Sequence, residues 1–315
     1  MFLGVILLGL TLSIFAVGCV RGETPGKRGA AYNDVATVSQ LSQAGTVRWA
    51  YNWEMSAAGT LPSDIEYVPM LKKASFEGWQ TSVESALADG SKYILGFNEP
   101  DYPTQASLSP SEAAGFFKQY ITPFQSRAKL VSPAVTSSTE AGKGLKWLDE
   151  FMKACSSCEI SVIAVHWYGD SFDNFKTFVN DAVTQAKNSY NLFEVWVTEF
   201  ALNADISGVT QGAEAFIQDA TSWLDSQPAV TRYSYFMCAE GYLLSGGSLN
   251  DAGHVYVNVD SSSLSTSSSL STSLSLSTSS SLSILSSSSI LSSPTSSSSS
   301  SILWNSAAYS VLCGG

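Results

Sequence analysis

Between residues 27 and 260, short apolar or aromatic segments alternate with segments whose apolar residues recur every three or four positions. The first kind of segment is typical of buried β-strands and the second of amphipathic helices. Strands are predicted at 29–32, 47–53, 67–71, 93–97, 129–134, 162–168, 195–200 and 233–238. The clearest helix predictions are 111–120, 145–154, 172–186 and 213–224. This alternation favours an α/β fold with parallel strands.

Eight strand–helix repeats in roughly 230 residues fit the (β/α)8, or TIM, barrel, for which about 250 residues is typical. A doubly wound open sheet is the structural alternative, but that fold usually carries a glycine-rich phosphate loop, which this sequence lacks. We therefore predict one (β/α)8 domain over residues 27–260.

Two of the predicted strands lead into a glutamate: Glu99 follows the run YILGFN and Glu199 follows VWVT. In a barrel the carboxyl ends of all strands meet at one opening, where ligands bind. Two carboxylates across one opening are the acid and the nucleophile or base that glycoside hydrolysis requires. The alternative for Glu99 is a salt bridge, but Lys92 is the only basic residue near it in the sequence. Burial without a cation raises a carboxyl pKa, as a general acid needs.

Other candidate site residues lie close to these glutamates or at other strand ends. Asn98 offers an amide to the sugar hydroxyl beside the reacting carbon. His166 and Tyr168 are expected to donate hydrogen bonds to an ionised Glu199, although His166 also fits a core histidine. The aromatic residues predicted to stack on sugar are Tyr51, Trp53, Trp167, Tyr168 and Tyr235. Since alternate strand residues face opposite ways, some of these rings must belong to the core.

Composition and net charge limit the classes of molecule that the chain can bind. The chain has 315 residues and a formal net charge of -11, so it lacks the basic surface that nucleic acid binding needs. This balance suits a secreted enzyme acting on a neutral polysaccharide. No His, Asp and Glu residues occur at metal-ligand spacing, so we expect neither a metal nor another cofactor. We also expect a monomer.

The amino terminus reads as a targeting segment. Residues 2–20 are uncharged and largely apolar, and charge returns at Arg21 and Glu23. This pattern predicts a cleaved signal peptide over residues 1–20, and the alternative is a signal anchor. With a cleaved leader the mature protein would be secreted, to the medium or the cell wall, and would not span a membrane. Lys27-Arg28 is either a processing site or a solvated domain start.

The carboxyl terminus changes character after Asp260. Residues 261–301 are almost entirely serine with some Leu, Thr and Ile, which predicts a disordered and O-glycosylated tail. Residues 302–315 have no assignment, and they lack the apolar tail of a glycolipid anchor signal.

The cysteines suit an oxidising compartment. Cys155 and Cys158 are interpreted as a local structural disulfide, with a redox motif as the alternative. A zinc site would need a second ligand pair, which is not visible. Cys238 is expected to be a buried free thiol.

Several motifs together resemble one known family. They are KRG at 27–29, YNW at 51–53, GFNEPD at 96–101, Cys155-x-x-Cys158, HWY at 166–168 and TEF at 198–200. In this order they resemble glycoside hydrolase family 128, the fungal glycosyl hydrolase catalytic core of cell-wall proteins. The resemblance runs from about residue 27 to 257, and the serine-rich tail departs from it.

The resemblance implies a (β/α)8 barrel with endo-β-1,3-glucanase activity and retention of the anomeric configuration. It also implies that Glu99 is the acid/base, that Glu199 is the nucleophile, and that Asn98 and the aromatic residues bind β-glucan. Two other functions stay open at this point. One is a cell-wall glucan-binding protein without turnover, and the other is a transglycosylase that passes the sugar to a second glucan chain.

Overall fold

The computed structural model of this chain describes residues 26–206 and 213–258. The predicted signal peptide at 1–20, the serine-rich tail at 261–301 and the last residues, 302–315, lie outside the described residues. Among the helices of the described ranges, none is both long enough and apolar enough to cross a bilayer.

Within these two ranges, eight parallel strands form one sheet, and each overlaps a predicted segment. The strands are β1 (Arg28–Ala31), β2 (Val47–Tyr51), β3 (Glu66–Tyr67), β4 (Tyr93–Ile94), β5 (Lys129–Val135), β6 (Ile160–Gly169), β7 (Val195–Leu202) and β8 (Val230–Tyr235). Their order in the sheet is β3-β2-β1-β8-β7-β6-β5-β4. Strands β3 and β4, which are adjacent in sequence, therefore lie at the two ends of the sheet.

Backbone hydrogen bonds join these two ends. The amide of Leu95 donates to the carbonyl of Pro69 at 3.0 Å, and the amide of Leu71 donates to the carbonyl of Leu95 at 3.2 Å. The pairing forms a parallel bridge between Met70 and Leu95, just beyond β3 and β4. The sheet thus curls into the predicted (β/α)8 barrel.

Helices connect the strands. They are α1 (Val38–Ser42), α2 (Trp79–Ala88), α3 (Pro110–Phe116), α4 (Gly144–Ala154), α5 (Phe172–Tyr190), α6 (Asn203–Ile206), α7 (Ala213–Ser226) and α8 (Asp251–Val257). A short hairpin of β9 (Leu244–Ser245) and β10 (Ser248–Leu249) precedes α8. The start of α3 follows the sequence signal, since Ser109 and Glu112 form a capping box and Pro110 occupies the first turn.

A half-buried cation, Arg232, lies at the amino-terminal end of the barrel. The guanidinium carbon of Arg232 lies 5.4, 4.4 and 4.8 Å from the ring centroids of Trp49, Tyr93 and Trp196. Its Nη2 forms an ion pair with Glu66 Oε2 at 2.5 Å. All five residues belong to the first three positions of their strands. This end of the barrel is therefore packed, and the opposite end is left for a ligand.

Two cysteine environments are also defined. A disulfide joins Cys155 and Cys158 in the turn that follows α4, with their Cα atoms 5.2 Å apart. Cys238 is a buried free thiol that contacts the Thr37 hydroxyl at 3.4 Å. Burial raises the pKa of the Cys238 thiol to about 11, so this cysteine is a packing residue with little thiolate character.

Gly96, two residues beyond β4, packs closely against the backbone of β5. Its replacement tests how close this contact is. A Cβ at Gly96 would stand 2.7 Å from the Pro133 backbone nitrogen, so we expect Gly96→Ala to lower the free energy of unfolding by about 2 kcal/mol. The matched control is Gly115→Ala in α3, where a Cβ meets nothing within 4 Å. There alanine should stabilise by about 0.5–1 kcal/mol. Urea denaturation measures both, and equal stability of the two variants would contradict the expected close packing.

Candidate active site

Glu99 and Glu199 converge at the carboxyl-terminal end of the barrel. Glu99 lies beyond the short strand β4, and Glu199 lies within β7, which runs three residues past it. Both side chains are buried, with 3% of each residue exposed. An oxygen of one glutamate lies within 4.8 Å of an oxygen of the other. Closure of the barrel thus brings together two carboxylates that are a hundred residues apart.

His166 lies between the two glutamates. Its Nδ1 is 2.9 Å from Glu99 Oε1, and its Nε2 is 3.4 Å from Glu199 Oε1. The ring is fully buried. Sequence reasoning expected His166 to bond Glu199, whereas the shorter contact is with Glu99. Sequence spacing also gave no sign of a ligand cluster, yet the fold gathers Glu99, His166 and Glu199 into a group with metal-ligand spacing.

Glu199 has two further donors, one on each carboxylate oxygen. The indole Nε1 of Trp53 donates to Oε1 at 2.7 Å, and the Tyr168 hydroxyl donates to Oε2 at 2.5 Å. Donors that point at both oxygens stabilise the ionised form of a carboxylate. The environment of Glu199 therefore suits a group that carries a negative charge.

Glu99 has a different environment. Among the described residues, His166 is the only side chain that hydrogen-bonds its carboxyl group. Its backbone adopts a φ of 39°, in the left-handed region that few non-glycine residues occupy. The Glu99 amide donates to the Ala134 carbonyl at 2.8 Å, which ties this strained turn to β5. Such conformations persist where the surrounding structure holds them, and they are common at functional sites.

Asp101 fixes the turn that follows Glu99 through hydrogen bonds of its side chain. Its carboxylate accepts hydrogen bonds from the Thr136 hydroxyl at 2.5 Å and from the Gly144 amide at 2.8 Å. The Thr136 amide donates to the same carboxylate at 3.2 Å. Asp101 therefore fixes the β4 turn against the end of β5 and the start of α4.

Burial and neighbouring charges set the protonation of Glu99 and His166. Burial raises the pKa of Glu99 to about 7, against the lowering effect of His166, and the Glu199 charge adds to the rise. For His166, burial alone would lower the pKa, but the charges and hydrogen bonding of Glu199 and Glu99 outweigh it and raise the pKa. At mildly acidic pH the arrangement thus favours a protonated Glu99 beside a cationic imidazole.

Asn98 lies next to this pair and is almost fully buried. Its amide nitrogen donates to Gln105 Oε1 at 3.2 Å, whereas its Oδ1 has no hydrogen-bond partner among the described residues. A buried amide oxygen without a donor is costly unless a ligand or water satisfies it. This atom is available to a hydroxyl group.

Three aromatic residues predicted to bind sugar have other surroundings. Tyr51 is completely buried below Trp53, where its hydroxyl donates to the Thr198 carbonyl. Trp167 faces the helices and packs on Phe175 of α5 and Phe216 of α7. Tyr235 also faces outward, with its hydroxyl on Asp205 of α6. Strand alternation turns Trp167 and Tyr235 away from the barrel interior, and Tyr51 packs against Trp53, so sugar contact by these three residues stays a prediction.

One ring at the opening was not predicted as a site residue. Phe236 follows β8 and packs edge-on against Trp53 and Tyr168, with centroid distances of 5.9 and 5.7 Å. It therefore supports the two side chains that bond Glu199. The sequence YSYF could have predicted this position. Strand alternation places Ser234 and Phe236 on the face opposite Tyr235.

Comparison with known proteins places this site in a family. A sequence model described as the glycosyl hydrolase catalytic core matches residues 29–256. The fold superposes with a TM-score of 0.69 on a family 128, subgroup III, curdlan-specific exo-β-1,3-glucanase from Blastomyces gilchristii, solved with glucose. The two are 37% identical, and the match covers 75% of this chain and 99% of the other. The chain belongs to glycoside hydrolase family 128.

Solved members of family 128 include proteins named as glucanases and a protein named only for binding. A subgroup VII protein from Cryptococcus neoformans is an oligosaccharide-binding protein; it is 25% identical, with a TM-score of 0.57 and coverage of 74% of this chain and 94% of that one. The alkali-sensitive linkage protein 1 of Schizosaccharomyces pombe is 32% identical over 253 residues. That match covers 74% of this chain but only 44% of the relative, so the chain spans less than half of that protein's length.

The raised pKa of Glu99 should appear in the pH dependence of stability. A carboxyl whose pKa rises from 4.5 to about 7 on folding keeps a proton that the unfolded chain releases in this range. Stability is therefore lost as the pH rises through the window, by up to about 3 kcal/mol. The variant Glu99→Gln cannot titrate and should lack this loss. Chemical denaturation across the window compares the two, and parallel curves would contradict the raised pKa.

Proposed function

We propose that this chain is a retaining β-1,3-glucan hydrolase in which Glu99 is the acid/base and Glu199 is the nucleophile. Family membership supports a glycosidase at the level of the fold and the reaction class. The observation that carries the assignment is the convergence of two buried carboxylates with unequal environments. Glu99 favours its protonated form, and Glu199 receives donors on both oxygens.

In the first step Glu199 attacks the anomeric carbon of the bound sugar. The bond from that carbon to the leaving oxygen breaks, and the proton of Glu99 passes to the oxygen as it departs. A covalent glycosyl-enzyme forms, in which the negative charge has left Glu199 and now resides on Glu99. Trp53 and Tyr168 keep Glu199 oriented through their hydrogen bonds.

In the second step water attacks the anomeric carbon of the glycosyl-enzyme. Glu99 takes a proton from the water, and the bond to Glu199 breaks with its electron pair returning to that carboxylate. The sugar leaves with its original anomeric configuration, and both glutamates regain their first protonation states.

The spacing of the carboxylates supports retention over inversion. Retaining enzymes place the two carboxyl groups about 5–5.5 Å apart, whereas inverting enzymes need about 6.5–9.5 Å to admit a water molecule. The oxygens of Glu99 and Glu199 that lie within 4.8 Å of each other fit the shorter class.

The substrate class follows from the family and from the unsatisfied polar atom at the site. The Blastomyces relative is named for action on curdlan, a β-1,3-glucan. In this chain Asn98 Oδ1 would accept a hydrogen bond from the sugar hydroxyl next to the reacting carbon, a contact that strengthens in the transition state. Trp53, which is almost fully buried, would hold Glu199 at the base of the site, and Tyr168 would hold it from the second oxygen.

Secretion is part of the proposal. The predicted signal peptide and the Cys155–Cys158 disulfide both suit an oxidising compartment outside the cytosol. We infer action on glucan in the medium or the cell wall, by a monomer that does not need nucleic acid, a metal or another cofactor.

Anomer analysis of the first products tests the proposed reaction. We expect wild-type protein to release the β-anomer from curdlan or laminarin oligosaccharides, as observed by proton NMR. Glu199→Gln should reduce kcat by about 10³-fold or more, because the nucleophile is lost. Glu140→Gln, an exposed replacement, is the matched control and should retain activity. An initial α-anomer would rule out the covalent route.

The same assay separates the alternative functions. A glucan-binding protein without turnover would release no oligosaccharide while Glu199→Gln bound glucan as the wild type does. A transglycosylase would yield products longer than the donor. Product sizes also resolve the mode of attack, because the resemblance implied internal cleavage whereas the Blastomyces relative is named an exo-acting enzyme. Single sugars or short fixed units indicate terminal attack, and a ladder of lengths indicates internal attack.

The role of Glu99 predicts the alkaline side of the pH profile. Since the acid must carry a proton, kcat/KM should fall about tenfold per pH unit above the Glu99 pKa of about 7. Glu99→Ala should lose this limb with an activated aryl glycoside, which needs no protonation of its leaving group. Azide should restore its turnover and give a β-glycosyl azide. A limb that persists unchanged in Glu99→Ala would assign the titration to another group.

A further inference from the structure

The imidazole of His166 has no role in the two steps described above, yet both of its nitrogens face the reacting groups. Nδ1 lies 2.9 Å from Glu99 Oε1 and Nε2 lies 3.4 Å from Glu199 Oε1. Nδ1 hydrogen-bonds only Glu99, and Nε2 has no hydrogen-bond partner among the described residues, so it meets Glu199 only as a charge contact. A histidine held only by the two carboxylates is poorly explained as a core residue.

Charge balance at the site points to a cation. Within the described ranges, no lysine or arginine forms an ion pair with Glu99 or Glu199. The titratable groups that act on His166 are Glu99 and Asp101 after β4 and Glu199 on β7, and Tyr168 lies on its own strand with its hydroxyl on Glu199. An imidazolium carries an N–H on each nitrogen, whereas neutral imidazole carries one. Only the cation has an N–H on Nδ1 beside Glu99, a second on Nε2 that faces Glu199, and a positive charge within 3.4 Å of both carboxylates.

The two glutamates depend on this cation unequally. Glu199 has neutral donors of its own in Trp53 and Tyr168. For Glu99, the part of the chain that the structure describes supplies only His166. When Glu99 gives up its proton, its new negative charge therefore has a single stabilising partner, already placed at hydrogen-bond distance.

We propose that His166 is a positioning residue that stays protonated throughout the cycle and stabilises the carboxylate charge as it passes from Glu199 to Glu99 and back. This inference rests on the proposed hydrolase function and adds a third participant to it. Since Nδ1–H occupies Oε1 of Glu99, the acid proton resides on Oε2, the oxygen left free for the substrate. His166 thus also selects the oxygen that protonates the leaving group.

The charge of His166 can be measured without turnover. The chain has two histidines, and the other, His254, lies exposed on α8. In protein labelled with ¹⁵N-histidine, His254→Gln assigns the two sets of ring signals. We expect both ring nitrogens of His166 to stay protonated at pH about 7, where an unperturbed histidine has mostly lost one proton. The same state should persist in the glycosyl-enzyme trapped with a 2-fluoro glycoside. A bare ring nitrogen at lower pH would overturn the proposal.

Kinetics of His166→Asn and His166→Gln give the second readout. Asn retains a neutral donor near the Nδ1 position and Gln one near Nε2, but both remove the positive charge. Without the cation the pKa of Glu99 should rise, so the alkaline limb of kcat/KM should move upward by about one pH unit in both variants. If His166 only packs the site, the variants should lose activity with the limb unmoved, and this result would overturn the proposal.

The two proposals fail in different ways. Absence of product from every β-glucan tested would end the hydrolase proposal, while the ¹⁵N titration would still report the charge on His166. Hydrolysis by the wild type with an unmoved limb in both variants would end the His166 proposal alone. If neither variant folds, the titration of the wild type decides the question.

Discussion

The active site depends on closure of the barrel between the ends of its sheet. Two backbone hydrogen bonds, from Leu95 to Pro69 and from Leu71 to Leu95, join the segments beyond β3 and β4. Without this closure β4 would be an edge strand, and the turn that carries Glu99 would have neighbours on one side only. With it, β4 is paired on both sides, and it lies two strands from β6, which carries His166, and three from β7, which carries Glu199. The acid, the nucleophile and the histidine are thus brought together by main-chain pairing.

Two chemically identical side chains acquire different properties at this site. Glu99 is buried, His166 is the one side chain of the described residues that bonds its carboxyl group, and its pKa rises to about 7. Glu199 meets an indole and a phenol that donate to both of its oxygens. A pair of titratable groups whose environments differ in this way is the usual arrangement for an acid and a nucleophile that act together. The difference comes from Trp53, His166 and Tyr168, which lie near the ends of β2 and β6.

Much of this arrangement was predictable from the sequence. Periodicity located all eight strands, and the position of each glutamate after an apolar run placed both at one opening. Which of the aromatic rings point into the barrel interior was not predictable in the same way. His166, Trp167 and Tyr168 form one aromatic motif, yet only the first and third face the interior, because register depends on neighbouring strands and on the irregularity between Val165 and His166. The contact of Asp101 with Thr136 was also not predictable, because it joins two turns that are far apart in the sequence.

The stacked Arg232 decides how a polymer can approach. Because three rings surround its guanidinium and Glu66 pairs with its charge, the residues that the structure describes close the barrel interior at this end. A long glucan therefore cannot thread through the molecule as a strand passes through a ring. It must lie across the rim or insert one end, and it must depart by the side from which it came.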